Sequence, residues 1–213
     1  MNRGFSLVEA LIVVAVISIV LGSIFGIAYQ AQMSFDAEKR FTETSQHARI
    51  AMDEITRYIR QAGNNPNPKT FNLQAVQYHG PSSIELWTDI TGSHDGVTGD
   101  PDRSTNSPLE HVMISYLPGA GNNRGTVTIR DYAVALGTDD QILAENVDLP
   151  DGTPFFQCFD TSGTATTTSN DIVSIEVTMR ASTPERMGGR VNSVTYRSHV
   201  FIRSKTFDVF AVP

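Results

Sequence analysis

Gly4-Phe5-Ser6-Leu7-Val8-Glu9 leads at once into Ala10 to Tyr29, a stretch drawn almost wholly from Ala, Leu, Ile, Val, Phe, Gly and Ser. No charged residue stands between Glu9 and Asp36. A predominantly apolar run of about 20 residues is what a helix needs to cross a hydrocarbon layer ~30 Å thick, so the stretch reads as a membrane-spanning segment. One acid sits at its leading end. A carboxylate on a lipid-buried helix costs on the order of 2 to 3 kcal/mol near the bilayer centre and less near the interface, so Glu9 calls for a cation. The helix dipole also favours an acid in the first turn.

Two ordinary readings compete. A secretory signal peptide has a shorter apolar core, about 7 to 15 residues, and a more basic start than the lone Arg3. A plain signal anchor carries no requirement for an acid five residues after a glycine.

A short leader ending in Gly4, then Phe5, Glu9 and an apolar helix together resemble the signal of type IV pilins and type II secretion pseudopilins. The resemblance implies that a prepilin peptidase cuts between Gly4 and Phe5 and N-methylates Phe5. It implies further that Glu9 meets a neighbouring subunit's amine during filament assembly. Within one chain, the amine of a cut Phe5 would lie about 6 Å along the helix axis from Glu9.

At 213 residues the chain has room for one helix and one domain of ordinary size. Its net charge is -7, and a cut after Gly4 removes Arg3 as well. That balance argues against general nucleic-acid binding by bulk charge. Arg3 and the short amino-terminal flank place the amino terminus in the cytoplasm by the positive-inside bias, which sends the remainder to an oxidising periplasm. The single cysteine, Cys158, forms no intramolecular disulfide. Many major pilins close a carboxy-terminal loop with a disulfide. This departure tilts the resemblance towards a minor pilin or pseudopilin, and the retained Glu9 tilts it away from the tip pseudopilin, which often lacks that acid.

Beyond Tyr29 the helical pattern changes character. Phe41, Ala48, Met52, Ile55, Ile59 and Ala62 fall on one stripe, and charged residues fill the other faces. Ala62-Gly63-Asn64-Asn65-Pro66 is a stop signal, with glycine at the C′ position and proline soon after. The expected helix therefore runs from about 5 to 62, near 87 Å at 1.5 Å per residue. Its stripe reads as a helix covering its own domain, since a coiled coil needs more heptads than are present. Many pilins kink the apolar half with proline; here only Gly22 and Gly26 interrupt it, weakening the helix by about 1 kcal/mol each relative to alanine. The segment around them is expected to stretch or melt in a filament.

From Pro66 the period becomes two. Val173, Ile175, Val177 and Met179 alternate with Ser174, Glu176, Thr178 and Arg180. Val194, Tyr196, Val200 and Ile202 oppose Thr195, Arg197, His199 and Arg203. Residues 183–192 between these runs read as a hairpin loop. Weaker strands are expected near 71–78, 83–90, 111–117, 126–135, 141–147 and 154–159. The longest loop is 91–108, and 119–125 has hairpin-turn composition without the lysine of a phosphate loop. The fold class is thus α+β: a long N-terminal helix, half apolar and half amphipathic, packed on an antiparallel β head. The segments are a cleaved leader at 1–4, a membrane and filament-core helix at 5–29, its amphipathic continuation at 30–63, and the head at 64–213. Such a head after Ile59-Arg60-Gln61-Ala62-Gly63 also resembles PilW-type minor pilins and J-type pseudopilins.

Site chemistry is sparse. Asp89, Asp95, Asp100 and Asp102 offer oxygen ligands of the kind calcium takes, but without EF-hand spacing, and solvated acidic loops are the commoner case. No metal or other cofactor is expected. Arg197, His199, Arg203 and Lys205 share one strand face by parity and form a candidate patch for subunit contact. Lipid headgroups and DNA are the other conceivable partners, and no interleaved aromatic platform supports base stacking. The five histidines are scattered, no HExxH or GxSxG arrangement occurs, and Cys158 sits in an apolar strand as an inert thiol. The chain reads as a non-enzyme. It is a subunit of a type IV pilus in the leading expectation, with a type II secretion pseudopilin or a membrane-anchored binding module as alternatives. Its expected partners are prepilin peptidase, other pilins or pseudopilins, an inner-membrane assembly platform, and lipid before assembly.

Overall fold

The stripe and the stop signal produce one helix, α1 (Leu7–Gln61). The computed structural model describes residues 7–65, 73–90, 93–94, 97–98, 104–105, 107–120, 124–132, 140–182 and 192–204. The chain divides into two compact units, Met1–Thr42 and Glu43–Pro213.

In the first unit α1 is exposed on every face from Leu7 to Asp36, while Ala37 and Phe41, the latter the first residue of the expected stripe, are half-buried. Ser18 and Ser23 donate their hydroxyls to the carbonyls of Val14 and Ile19 at 2.8 and 2.9 Å. Their polarity is thus absorbed by the helix itself, which suits a surface meant for apolar surroundings.

In the second unit α1 becomes one-sided. Ala48, Met52, Ile55, Ile59 and Ala62 are buried as the stripe predicts, and Ala51, Thr56 and Tyr58 widen it. The helix stops at Gly63, whose φ of +70° is the left-handed C′ conformation glycine adopts freely. The Gly63 amide then donates to the Trp87 carbonyl at 2.7 Å, tying the helix end to the sheet.

The strands follow the alternation closely: β1 (Val76–Gly80), β2 (Ser83–Trp87), β3 (Ser93–His94), β4 (Val97–Thr98), β5 (His111–Leu117), β6 (Gly125–Asp131), β7 (Gln141–Asp148), β8 (Phe156–Phe159), β9 (Ser174–Ser182) and β10 (Ser193–Phe201). Among the described residues the antiparallel sheet runs in the order β1-β2-β5-β6-β7-β9-β10, and β8 pairs with β9 beside β7. The short β3–β4 ladder lies inside the expected long loop, where no strand is predicted. Ile84, Ile114, Val127, Phe155, Phe156, Ile175, Val177 and Met179 form the core with the α1 stripe. The architecture is α+β, with the helix packed on an antiparallel sheet.

Two details depart from simple alternation. Ser174 and Thr178 are buried although they lie opposite to the apolar face of β9. Both lie in an interior strand, Ser174 paired with Phe201 on one side and Phe159 on the other, and Thr178 paired with Arg197. Also, β10 ends at Phe201, so strand parity extends to Arg197 and His199 and does not reach Arg203.

Candidate assembly surfaces

Glu9 lies in the first turn of α1 and is exposed, among Leu7, Val8, Leu11 and Ile12, all more than half exposed. A carboxylate there sits at the positive end of the helix dipole. Gly4 and Phe5 lie outside the described residues, as do Asp95, Asp100, Asp102 and Lys205. α1 is long and apolar enough to cross a membrane, and none of its most apolar window is buried within the chain.

Of the expected basic patch, Arg197, His199 and Arg203 lie among the described residues and are exposed. Arg197 is half exposed, and its Nε lies 3.5 Å from Glu176 on the neighbouring strand, so part of its charge is answered locally. His199 shares a hydrogen bond of 2.9 Å with the Ser174 hydroxyl and packs between the rings of Phe159 and Phe201. Arg203 is exposed beyond the end of β10. Arg180, of opposite use, joins Arg124 on Asp148, with contacts of 2.7 and 2.8 Å. Burial opposes ionisation of Asp148. Hydrogen bonds from Arg180 and the Leu149 amide, with the charge of both arginines, outweigh it and hold the carboxyl below the ordinary range.

Two features carry no signal in the linear pattern. Glu85 bridges His79 and His111, and His111 is stacked between Trp87 and Tyr132 with centroids 4.8 Å away on either side. These residues come from β1, β2, β5 and the end of β6, and only the sheet order brings them together. Glu110 is fully buried and accepts hydrogen bonds from the amides of Ile90 and Ser107. Among the described residues no three His, Cys, Asp or Glu side chains are disposed to hold a metal ion. Cys158 is buried, and burial pushes its thiol up to about 12, so it is no nucleophile near neutrality.

The amino-terminal segment therefore offers an exposed apolar cylinder with an acid at its leading end. Residues 1–25 match the prokaryotic N-terminal methylation motif. The motif supports a type IV pilin or pseudopilin. It points to a structural subunit rather than an enzyme, and with the apolar helix it points to membrane anchoring, processing by prepilin peptidase and assembly with other pilins. No curated protein and no solved structure gives a significant match to the chain.

Proposed function

We propose that the chain is a minor pilin, a structural subunit of a type IV pilus that primes or supports assembly. The methylation motif over residues 1–25, running into a helix exposed over its apolar length, carries this reading. In it, the cut falls between Gly4 and Phe5, Phe5 is N-methylated, and the protein leaves the bilayer by exchanging lipid contacts for contacts with other helices. Glu9 and the amine of a neighbouring Phe5 pair to set the register. Contacts of this head-to-tail kind are heterologous and propagate as an open helix.

Absence of a disulfide around Cys158, and the β-rich head that resembles PilW-type subunits, favour a minor over a major pilin. Arg197, His199, Arg203 and Lys205 are proposed as contacts to acidic faces of other subunits. The amino terminus is cytoplasmic and the head periplasmic before assembly. A pseudopilin of a type II secretion system is the second reading, favoured by the same motif.

A clean deletion assayed side by side for surface pili with twitching and for exported proteins separates the two. Loss of pili with normal export supports the minor pilin; loss of export with normal pili replaces it with the pseudopilin. Glu9→Ala is expected to reproduce the deletion while leaving the protein in the membrane, because it removes the register contact and makes the helix more apolar. Assembly at the wild-type level by that variant would contradict the role given to Glu9.

A further inference from the structure

The two ends of the sheet are finished differently. β1 is short, its register shifts between Tyr78 and Gly80, and the Tyr78 amide donates to the Ser169 hydroxyl at 3.1 Å. That edge is bent and capped. β10 pairs with β9 in unbroken register from Ser193 to Phe201, with no bulge and no proline, and among the described residues no strand lies on its other side. Edges paired over this length without a bulge or proline can template another strand.

Which amides face outward follows from two hydrogen bonds. The Ile202 amide donates to the Val173 carbonyl, directly across the continued β9–β10 register. Bonding to β9 therefore falls on the even-numbered residues of β10. The Thr178 amide donates to the Phe155 carbonyl on the β8 side, so Arg197, opposite Thr178, is turned away from β9, which agrees. Thr195, Arg197 and His199 thus present their main-chain groups to the open edge, and their own exposed side chains stand on the solvent face beside it. An added antiparallel strand would set its hydrogen-bonded partners directly beside Arg197 and His199 on that face.

A second copy of β10 fits poorly. Any antiparallel register that pairs seven or more of the residues Ser193–Phe201 with those of a second copy and uses these outward groups sets Arg197 opposite or diagonal to Arg197 of the other copy. Like charges so placed are destabilising. A strand carrying a carboxylate opposite Arg197 meets a guanidinium that Glu176 contacts only at Nε, 3.5 Å away.

We propose that the open edge of β10 docks an extended segment of a different filament subunit, with an acidic side chain opposite Arg197. Main-chain hydrogen bonds supply the affinity and Arg197 the choice of partner. The inference rests on the filament-subunit reading above.

The test places a benzophenone amino acid at Ser193 in the full chain, in its own cells, and maps adducts by mass spectrometry. An adduct to an extended, acidic segment of a non-identical subunit is expected. Thr195→Pro removes one outward amide and no bond to β9, and Arg197→Glu reverses the charge; each should cut the adduct roughly tenfold, while Arg197→Lys retains it. Cys158, unreactive to maleimide while the head is folded, reports whether each variant keeps its fold; should Thr195→Pro expose it, the surface change Arg197→Glu decides. An adduct to a second copy of this chain, an adduct indifferent to Arg197→Glu, or no adduct from a chain whose leader is cut would overturn the inference alone. A leader that stays uncut would overturn the filament reading and the inference with it.

Discussion

Two stretches of the same helix differ in what their apolar residues touch. From Leu7 to Met33 the large apolar side chains are exposed and arranged on every face; from Glu43 to Gln61 the apolar residues gather on one side and most are buried. Identical backbone geometry therefore serves two solvents. The second stretch finds its apolar surroundings in its own chain, and the first must find them in lipid or in other subunits. Apolar surroundings from outside the chain are a physical requirement of the first stretch, whereas folding is the business of the second.

The largest contrast should come from paired truncations. Ile55→Ala, at a fully buried position, should lower the stability of the detergent-solubilised chain by about 2 to 5 kcal/mol in denaturant melts of the head. Ile17→Ala, half exposed, should leave the same transition where it was. Equal effects would erase the distinction between the two stretches.

Glycines sharpen it. A Cβ at Gly63 would lie 2.2 Å from the Ser204 hydroxyl oxygen and 2.6 Å from the Ala75 Cβ, at a φ of +70°. Gly63→Ala should therefore cost more than about 1 kcal/mol in the same melts. Around Gly22 and Gly26 nothing lies within 4 Å of such a Cβ. Gly22→Ala should leave the head untouched and strengthen the helix locally by about 1 kcal/mol, read as slower amide exchange between Ser18 and Ala28.

A smaller effect belongs to the head alone. Because the Asp148 carboxyl is held below its unfolded value, the Arg124–Asp148–Arg180 cluster stabilises the head at all pH values above the ordinary carboxylate range near 4. That contribution is lost as pH falls through the lowered folded value. Asp148→Asn should flatten this limb of the pH–stability curve, and an unchanged limb would remove the cluster from the account.

Much of this was legible in the sequence because period and punctuation act locally. Ala62-Gly63 marks the helix end, and the alternation of Val173, Ile175, Val177 and Met179 marks a strand, since each signal reports a choice made within a few residues. Ala51, Thr56 and Tyr58 were not legible as core, because a small, a polar and an amphipathic residue beside a stripe are buried only when the opposing sheet is broad enough to reach them. Nor was the His79–Glu85–His111 bridge, whose members meet only through the β1-β2-β5 order. Extension of the β10 face to Arg203 failed for a related reason. Ile202 turns into the core and Ser204 bonds the Ala62 carbonyl at the helix end, so tertiary packing ends the strand before the sequence pattern does. The assembly motif is the opposite case: it is written wholly in consecutive residues, and the chain's own fold contributes nothing to it.

The most direct measurement is the intact mass and amino-terminal sequence of the protein isolated from its own membranes. The account predicts a chain that begins at Phe5 and carries one methyl group on that residue's amine. A chain that still begins at Met1, or one cut elsewhere, would contradict it.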